Sequence, residues 1–310
     1  SAGALEEKYM QRIKALPADT QRLLLVAAAE PVGDAALFLR VAAQLAIPVD
    51  ALGPAESAGM IEFGPRMRFR HPLVRSAAYA AGSPQDRCSA HRALAEATDG
   101  RADPEHRVWH LAAAATGPDE EVASQLERTA GRAQARAGLA GAAAFLQRSV
   151  ALTAAPERRA ERALAAAHAH LQAGSFETAL GLLAEAEAAA VDELQRARVE
   201  QLRGQVARVS DYGREAPVRL LRAAVRLESL DPRLARDTYL HALFASIVAG
   251  RLAQPGGRLL EVARAARSVA PPSPAPLPRD LLLDGMTTMI IDGRPAAEPT
   301  LRRAVQAFLR

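Results

Sequence analysis

The chain holds a single cysteine, Cys88, and only two lysines, Lys8 and Lys14. One thiol excludes an internal disulfide and any cysteine-based zinc site, and it fits an intracellular, cytoplasmic location. A nucleotide-binding loop of the Gly-x-x-x-x-Gly-Lys-Ser/Thr type needs a lysine after its glycines, and no lysine follows Lys14. Without that loop the chain is not expected to hydrolyse ATP unaided, and no other constellation in it speaks for an enzyme. Long apolar runs are missing as well. Ser1 to Met10 has no signal core, and uncharged stretches such as Thr238 to Gly250 are too short to span a bilayer. A soluble protein without membrane contact is expected. Aromatic residues make up only 4%, so large rings cannot fill a thick core.

Alanine and arginine stand in their place. Alanine is the best helix former, and its small side chain lets helices approach closely. The composition therefore favours a mainly α protein of thin, tightly stacked layers. The formal charge is +4 and the pI about 9.7, values that can mark a nucleic-acid binder. The arginines, however, alternate with acids, as in Glu193 to Glu200, which is the pattern of a solvated helix face laced with ion pairs.

Residues 1–100 read as a helical, winged-helix-like module. Helices are expected over Leu5–Leu16, Gln21–Glu30 and Ala35–Ala46, with Asp34 as an N-cap after the break at Pro31–Gly33. A fourth is expected from Pro48 toward Met60. Ile61-Glu62-Phe63 and Met67-Arg68-Phe69-Arg70 alternate around Gly64-Pro65, which indicates a short β-hairpin near 61–70. Pro72 and Pro84 then sit at first-turn positions of two further helices.

Residues 101–310 read as helices only. After Gly117-Pro118, the acids Asp119 to Glu121 fall in a helix's first turn. Gly138, Gly174, Gly213, Gly250 and Gly293 each separate two helical runs, at spacings of 36, 39, 37 and 43 residues. A small residue recurs 11 or 12 places on, at Ser149, Ala186, Ala224 and Ala304, with a poorer match after Gly250. In the clearest copy, Leu171 to Ala186, the glycine ends the first helix, Ala179 permits close approach, and Leu180, Leu183 and the alanines fill the seam. This periodicity suits tetratricopeptide-like helix hairpins stacked into an α-solenoid. The five prolines between Ser268 and Pro278 forbid a continuous helix and stretch the last spacing. The end at Arg310, straight after a helix and without a polar capping repeat, suggests truncation.

Candidate chemistry is sparse. His106 and His110 stand four apart, like a zinc-metalloprotease pair, but Arg107 occupies the place of the general-base glutamate. No metal site is expected there; Trp109 and His110 are read as helix-seam packing. His168 and His170 point to different faces. Cys88 and His91 could meet across one helical turn, but with no third partner they read as a buried thiol beside a surface histidine. His71, flanked by Arg70 and followed one turn later by Arg75, could meet a phosphate, or it could simply cap a helix over Phe69, Leu73 and Tyr79.

The Phe69 to Tyr79 segment resembles the Phe-x-His-Pro-Leu-Val-Arg-x-Ala-x-Tyr stretch of large ATP-binding regulators of the LuxR family, found in actinobacteria and related to the maltose regulator. The resemblance continues through His91-Arg92-Ala93-Leu94-Ala95, Trp109-His110-Leu111-Ala112, Gly117-Pro118-Asp119-Glu120, Arg148 to Thr153 and Leu281 to Gly293. It implies the middle of a three-part switch: an ATPase before it, a helix-turn-helix after it, and here the winged-helix and repeat segments. On that likeness His71 would sense the phosphates of ATP or ADP bound to the parent protein, with Arg70 and Arg75 beside it. The chain itself would carry no cofactor. Its partners would be its own nucleotide and DNA-reading domains and an unknown effector or protein on the repeats. The alternatives are a stand-alone helical-repeat interaction scaffold, and direct DNA binding by the winged module.

Overall fold

The structure, a computed structural model, describes all residues except 1, 31, 137, 191, 210–212, 270–275 and 310. Among them are seventeen α-helices and one hairpin of two-residue strands, so the chain is mainly α. Two compact units form: residues 1–136 with 151–154, and residues 137–150 with 155–310.

The first unit runs α1 (Ala2–Lys14), α2 (Ala18–Ala29), α3 (Ala35–Gln44), α4 (Gly53–Ser57), β1 (Ile61–Glu62), β2 (Arg68–Phe69), α5 (Pro72–Ala81), α6 (Pro84–Ala97), α7 (Pro104–Ala114) and α8 (Glu120–Ala135). Local chemistry sets these boundaries. The Asp34 carboxylate accepts from the Ala36 and Leu37 amides, Ser83 and Asp86 form a reciprocal capping box, and Asp103 and Asp119 cap α7 and α8. The single helix expected from Pro48 toward Met60 is instead a 3-10 turn, Val49–Leu52, followed by the short α4. Pro48, Gly53 and Pro54 interrupt it, and Gly59 ends it at φ +65°.

Helix α2 lies at the centre. Leu23, Leu24 and Val26 are buried with Phe38, Val41, Val74, Ala77 and Leu94, and removing any one of the larger chains would cost ~2–5 kcal/mol. The hairpin falls within the expected 61–70 span, with Ile61 opposite Phe69 and Glu62 opposite Arg68. Its tip is pinned to the turn after α2: the Met67 amide donates to Gly33 O at 3.0 Å, and Asp34 bridges Arg66. Gly33 has φ +72°, and a Cβ there would sit 2.4 Å from Met67 O, so only glycine fits.

The division near Arg136 falls later than the expected boundary at 100. The reason is physical: α6 packs on α7 and α7 on α8, and buried side chains of α7 reach back to the end of α2.

The second unit contains α9 (Leu139–Ala151, its last residue grouped with the first unit), α10 (Pro156–Gln172), α11 (Phe176–Ala189), α12 (Glu193–Val209), α13 (Ala216–Leu227), α14 (Pro232–Ala249), α15 (Leu259–Arg267), α16 (Pro278–Ile291) and α17 (Arg294–Phe308). Consecutive helices from α10 on pack as hairpins. The first helix of each pair also touches the first of the next, α10 on α12, α12 on α14 and α14 on α16. That stacking is what lets thin hairpins bury a shared seam.

Gly174, Gly213, Gly250 and Gly293 all hold positive φ, at 78°, 68°, 51° and 92°, and Gly138 stands just before α9. At Gly174 the Ser175 amide donates to His170 O and the Gly174 amide to Leu171 O, a Schellman closure that needs a left-handed residue at this point. Ser149, Ala186, Ala224 and Ala304 are all buried. Leu180 departs from expectation: it is 45% exposed, while Ala179, Leu182, Leu183 and Ala186 form the buried stripe. Positions 179, 182, 183 and 186 follow helical spacing, and 180 falls off it. Of the proline-rich connection, residues 270–275 lie outside the described residues; α15 ends before it and α16 begins after it.

Candidate functional site

His71 is the N-cap of α5. Its Nδ1 accepts from the Leu73 amide at 3.1 Å, and Pro72 takes the first helical position. Acceptance at Nδ1 places the ring proton on Nε2, so the exposed side of the ring presents a donor. Tyr9 of α1 stacks against the ring with centroids 6.5 Å apart.

Arg70 and Arg75 do not converge on His71. Arg70 pairs with Glu62 across the hairpin at 3.0 Å, both well exposed. The Arg75 Nε donates to Ala28 O at 3.0 Å, closing the end of α2. Arg75 instead lines a cleft of about 360 Å³ with Glu30, Arg66, Arg68, Phe69 and Pro72. The sequence pattern does not single out Arg66 and Arg68; their only signal is that they bracket the second half of the hairpin.

Behind this cleft lies a buried polar cluster. Glu30, the residue that terminates α2, has its side chain only 1% exposed. Its Oε1 accepts from the Val32 amide at 2.7 Å. Its Oε2 faces two imidazoles on α7: His106 Nε2 at 2.8 Å and His110 Nε2 at 3.4 Å. His106 Nε2 is at ion-pair distance, yet its N–H axis is off line for a hydrogen bond. The far side of the His110 ring meets His91 of α6, Nδ1 to Nδ1 at 2.9 Å, and His91 Nε2 meets the Tyr79 hydroxyl at 3.0 Å. His106 Nδ1 stands 3.5 Å from Asp103 Oδ2.

Burial alone would raise the Glu30 pKa, but His106, His110 and the Val32 amide outweigh it and bring it from 4.5 to about 2. The adjacent Glu30 carboxylate raises the His106 pKa against the opposing effect of burial.

Two expectations from sequence are corrected in this region. His91 is buried and Cys88 only half-buried, the reverse of the expected pair, because the buried stripe of α6 is Ala90, His91 and Leu94. His110 is fully buried but Trp109 is 41% exposed, one residue round the helix. The partner that sequence spacing could not reveal is Glu30, some eighty positions away from His110.

In the second unit the cationic side chains are largely paired, as in Arg203 with Glu187 and Arg219 with Glu215. A groove of about 670 Å³ is lined by Val218, Leu221, Val225, Arg222, Arg226 and Glu200. His168 is exposed and His170 buried, so the two do not meet. No single helix among the described residues is long and apolar enough to cross a membrane. No protein-family profile, curated protein or solved structure matches the chain.

Proposed function

We propose that this chain is the regulatory middle segment of an ATP-dependent, LuxR-type transcriptional regulator of the cytoplasm, with a winged-helix-like first unit and tetratricopeptide-like repeats in the second. It has no catalytic site of its own. The ATPase and the DNA-reading helices belong to the longer parent protein.

The observation that carries this reading is the His71 ring. Its Nδ1 is committed to the α5 cap, so its exposed Nε2–H is an oriented donor for a phosphate oxygen of a nucleotide held by a neighbouring domain. The motif that resembles the LuxR regulators, Phe69 to Tyr79, surrounds this donor. Arg75 organises the end of α2 behind it, and Arg70 stays at the surface as an interdomain contact.

The mechanism is a population shift. Nucleotide-bound contacts at His71 favour a closed parent, and an effector on the helical repeats favours an open one. Reversing such a two-state switch almost completely takes about 5.5 kcal/mol of differential binding. The groove beside Val218 and Val225 offers apolar area flanked by arginines for part of that energy.

His71→Asn tests the proposal in the parent protein. Asparagine keeps an N-cap acceptor but removes the Nε2 donor. Faster ADP release and raised basal activity at unchanged thermal stability are expected. Unchanged ADP release removes the sensor role.

A further inference from the structure

We propose that Glu30, His106 and His110 form a binding site for a borderline divalent cation, zinc foremost, which ties α7 to the end of α2.

Two imidazole nitrogens and one carboxylate oxygen are a donor set suited to zinc. The three ligand atoms lie within 4.8 Å of one another. Bonds of about 2.0–2.1 Å to a tetrahedral ion put ligand atoms about 3.4 Å apart. The His110 Nε2 to Glu30 Oε2 separation is already 3.4 Å. The His106 Nε2 to Glu30 Oε2 separation, 2.8 Å, has to open by about half an ångström. His106 is the most accessible of the three, its side chain 16% exposed, so an ion and a completing water can enter from its side. His106 Nε2 is buried and ion-paired with Glu30 but makes no aligned hydrogen bond, so its lone pair can be given to the ion.

The surrounding groups match what metal-bound histidines require. Such a ring donates its second N–H to an orienting partner. His106 Nδ1 has the Asp103 carboxylate, and His110 Nδ1 has His91. Glu30 is held by the Val32 amide through its other oxygen.

The chain Tyr79–His91–His110 supports two proton registers. Without metal, Tyr79 donates to His91 Nε2, His91 Nδ1–H to His110 Nδ1, and His110 Nε2–H to Glu30. With metal, His110 gives its Nε2 lone pair to the ion, its Nδ1–H points to His91 Nδ1, and His91 Nε2–H points to the Tyr79 oxygen. Both registers hold the same number of protons on these three groups. Only the His106 Nε2 proton leaves to solvent as the ion enters, which makes affinity fall at low pH.

The test incubates the full chain with zinc chloride, dialyses it against metal-free buffer and counts retained zinc by elemental mass spectrometry. About one zinc per chain and a raised Tm are expected for the wild type, with at least a tenfold loss of affinity in His106→Asn and Glu30→Gln and none in His168→Asn. Nitrogen NMR of the wild type reads the register directly: zinc should move the His91 and His110 protons to the opposite ring nitrogens. This readout decides the matter even where a variant fails to fold. No retained zinc in the wild type, full retention in folded His106→Asn, or unchanged tautomers each overturns the site.

Discussion

Arg236 on α14 donates from Nε to Asp280 Oδ1 on α16 at 2.7 Å, and both side chains are nearly fully buried. The same guanidinium reaches Asp284 Oδ1 at 2.6 Å, Asp280 O at 3.2 Å and Val269 O at 3.0 Å. A buried cation is tolerable only with its donors satisfied in this way. Arg236→Ala leaves the buried Asp280 uncompensated, and a loss of roughly 3–5 kcal/mol is expected in the second unit's unfolding transition. Urea denaturation of the full chain, followed by hydrogen exchange on α14 and α16, reads it.

Two glycines set how closely the hairpin helices approach. A Cβ on Gly204 would stand 2.8 Å from the Leu220 side chain and 3.3 Å from its backbone nitrogen; one on Gly285 would stand 2.6 Å from Leu301. Alanine would gain up to ~1 kcal/mol of helix propensity at each place, but overpacking typically costs ~1–3 kcal/mol. Net destabilisation of about 1–2 kcal/mol is expected for Gly204→Ala and Gly285→Ala. A Cβ on Gly181, by contrast, would meet nothing within 4 Å, so Gly181→Ala should stabilise. Thermal melts of the three variants check the signs.

The folded pKa of Glu30 lies below its ordinary value, so its contribution is present above about pH 4.5 and is lost as pH falls toward about 2. The shift corresponds to roughly 3 kcal/mol. His106 has the opposite sign: its pKa is raised, so its contribution is complete below 6.5 and disappears as pH rises through the folded value. In metal-free buffer the stability of the first unit should therefore be greatest between these limits. Glu30→Gln should flatten both limbs, and a pH series of denaturant melts on the two proteins measures it.

Much of the helical architecture is legible in the sequence, because glycine punctuation and small-residue recurrence are local signals. Four of the five turn glycines lie at positive φ, and Asp34 caps the helix that follows the break before it. The phase of a helix is harder to read. In an alanine-rich stretch almost every position is compatible with burial, so the pattern puts Leu180 in the seam and Trp109 against one, and both are exposed. The Glu30–His106–His110 cluster is not legible. Its two histidines are local, but Glu30 sits after an apolar helix where a lone acid looks like an ordinary terminus. Only the packing of α7 on the end of α2 joins them.

His71 caps α5, and different substitutions separate that structural role from the sensing role proposed for it. His71→Ala removes the cap to the Leu73 amide and should cost about 1 kcal/mol. His71→Asn should restore most of that stability without restoring the Nε2 donor. A thermal melt of both variants beside the wild type checks this division.

The native protein, recovered from its source cells with an antibody against this chain, can be weighed intact together with any nucleotide it carries. A polypeptide well above 32.9 kDa, with ATP or ADP bound, is the expected result. A 32.9 kDa chain free of nucleotide would contradict the assignment of this segment to an ATP-dependent regulator.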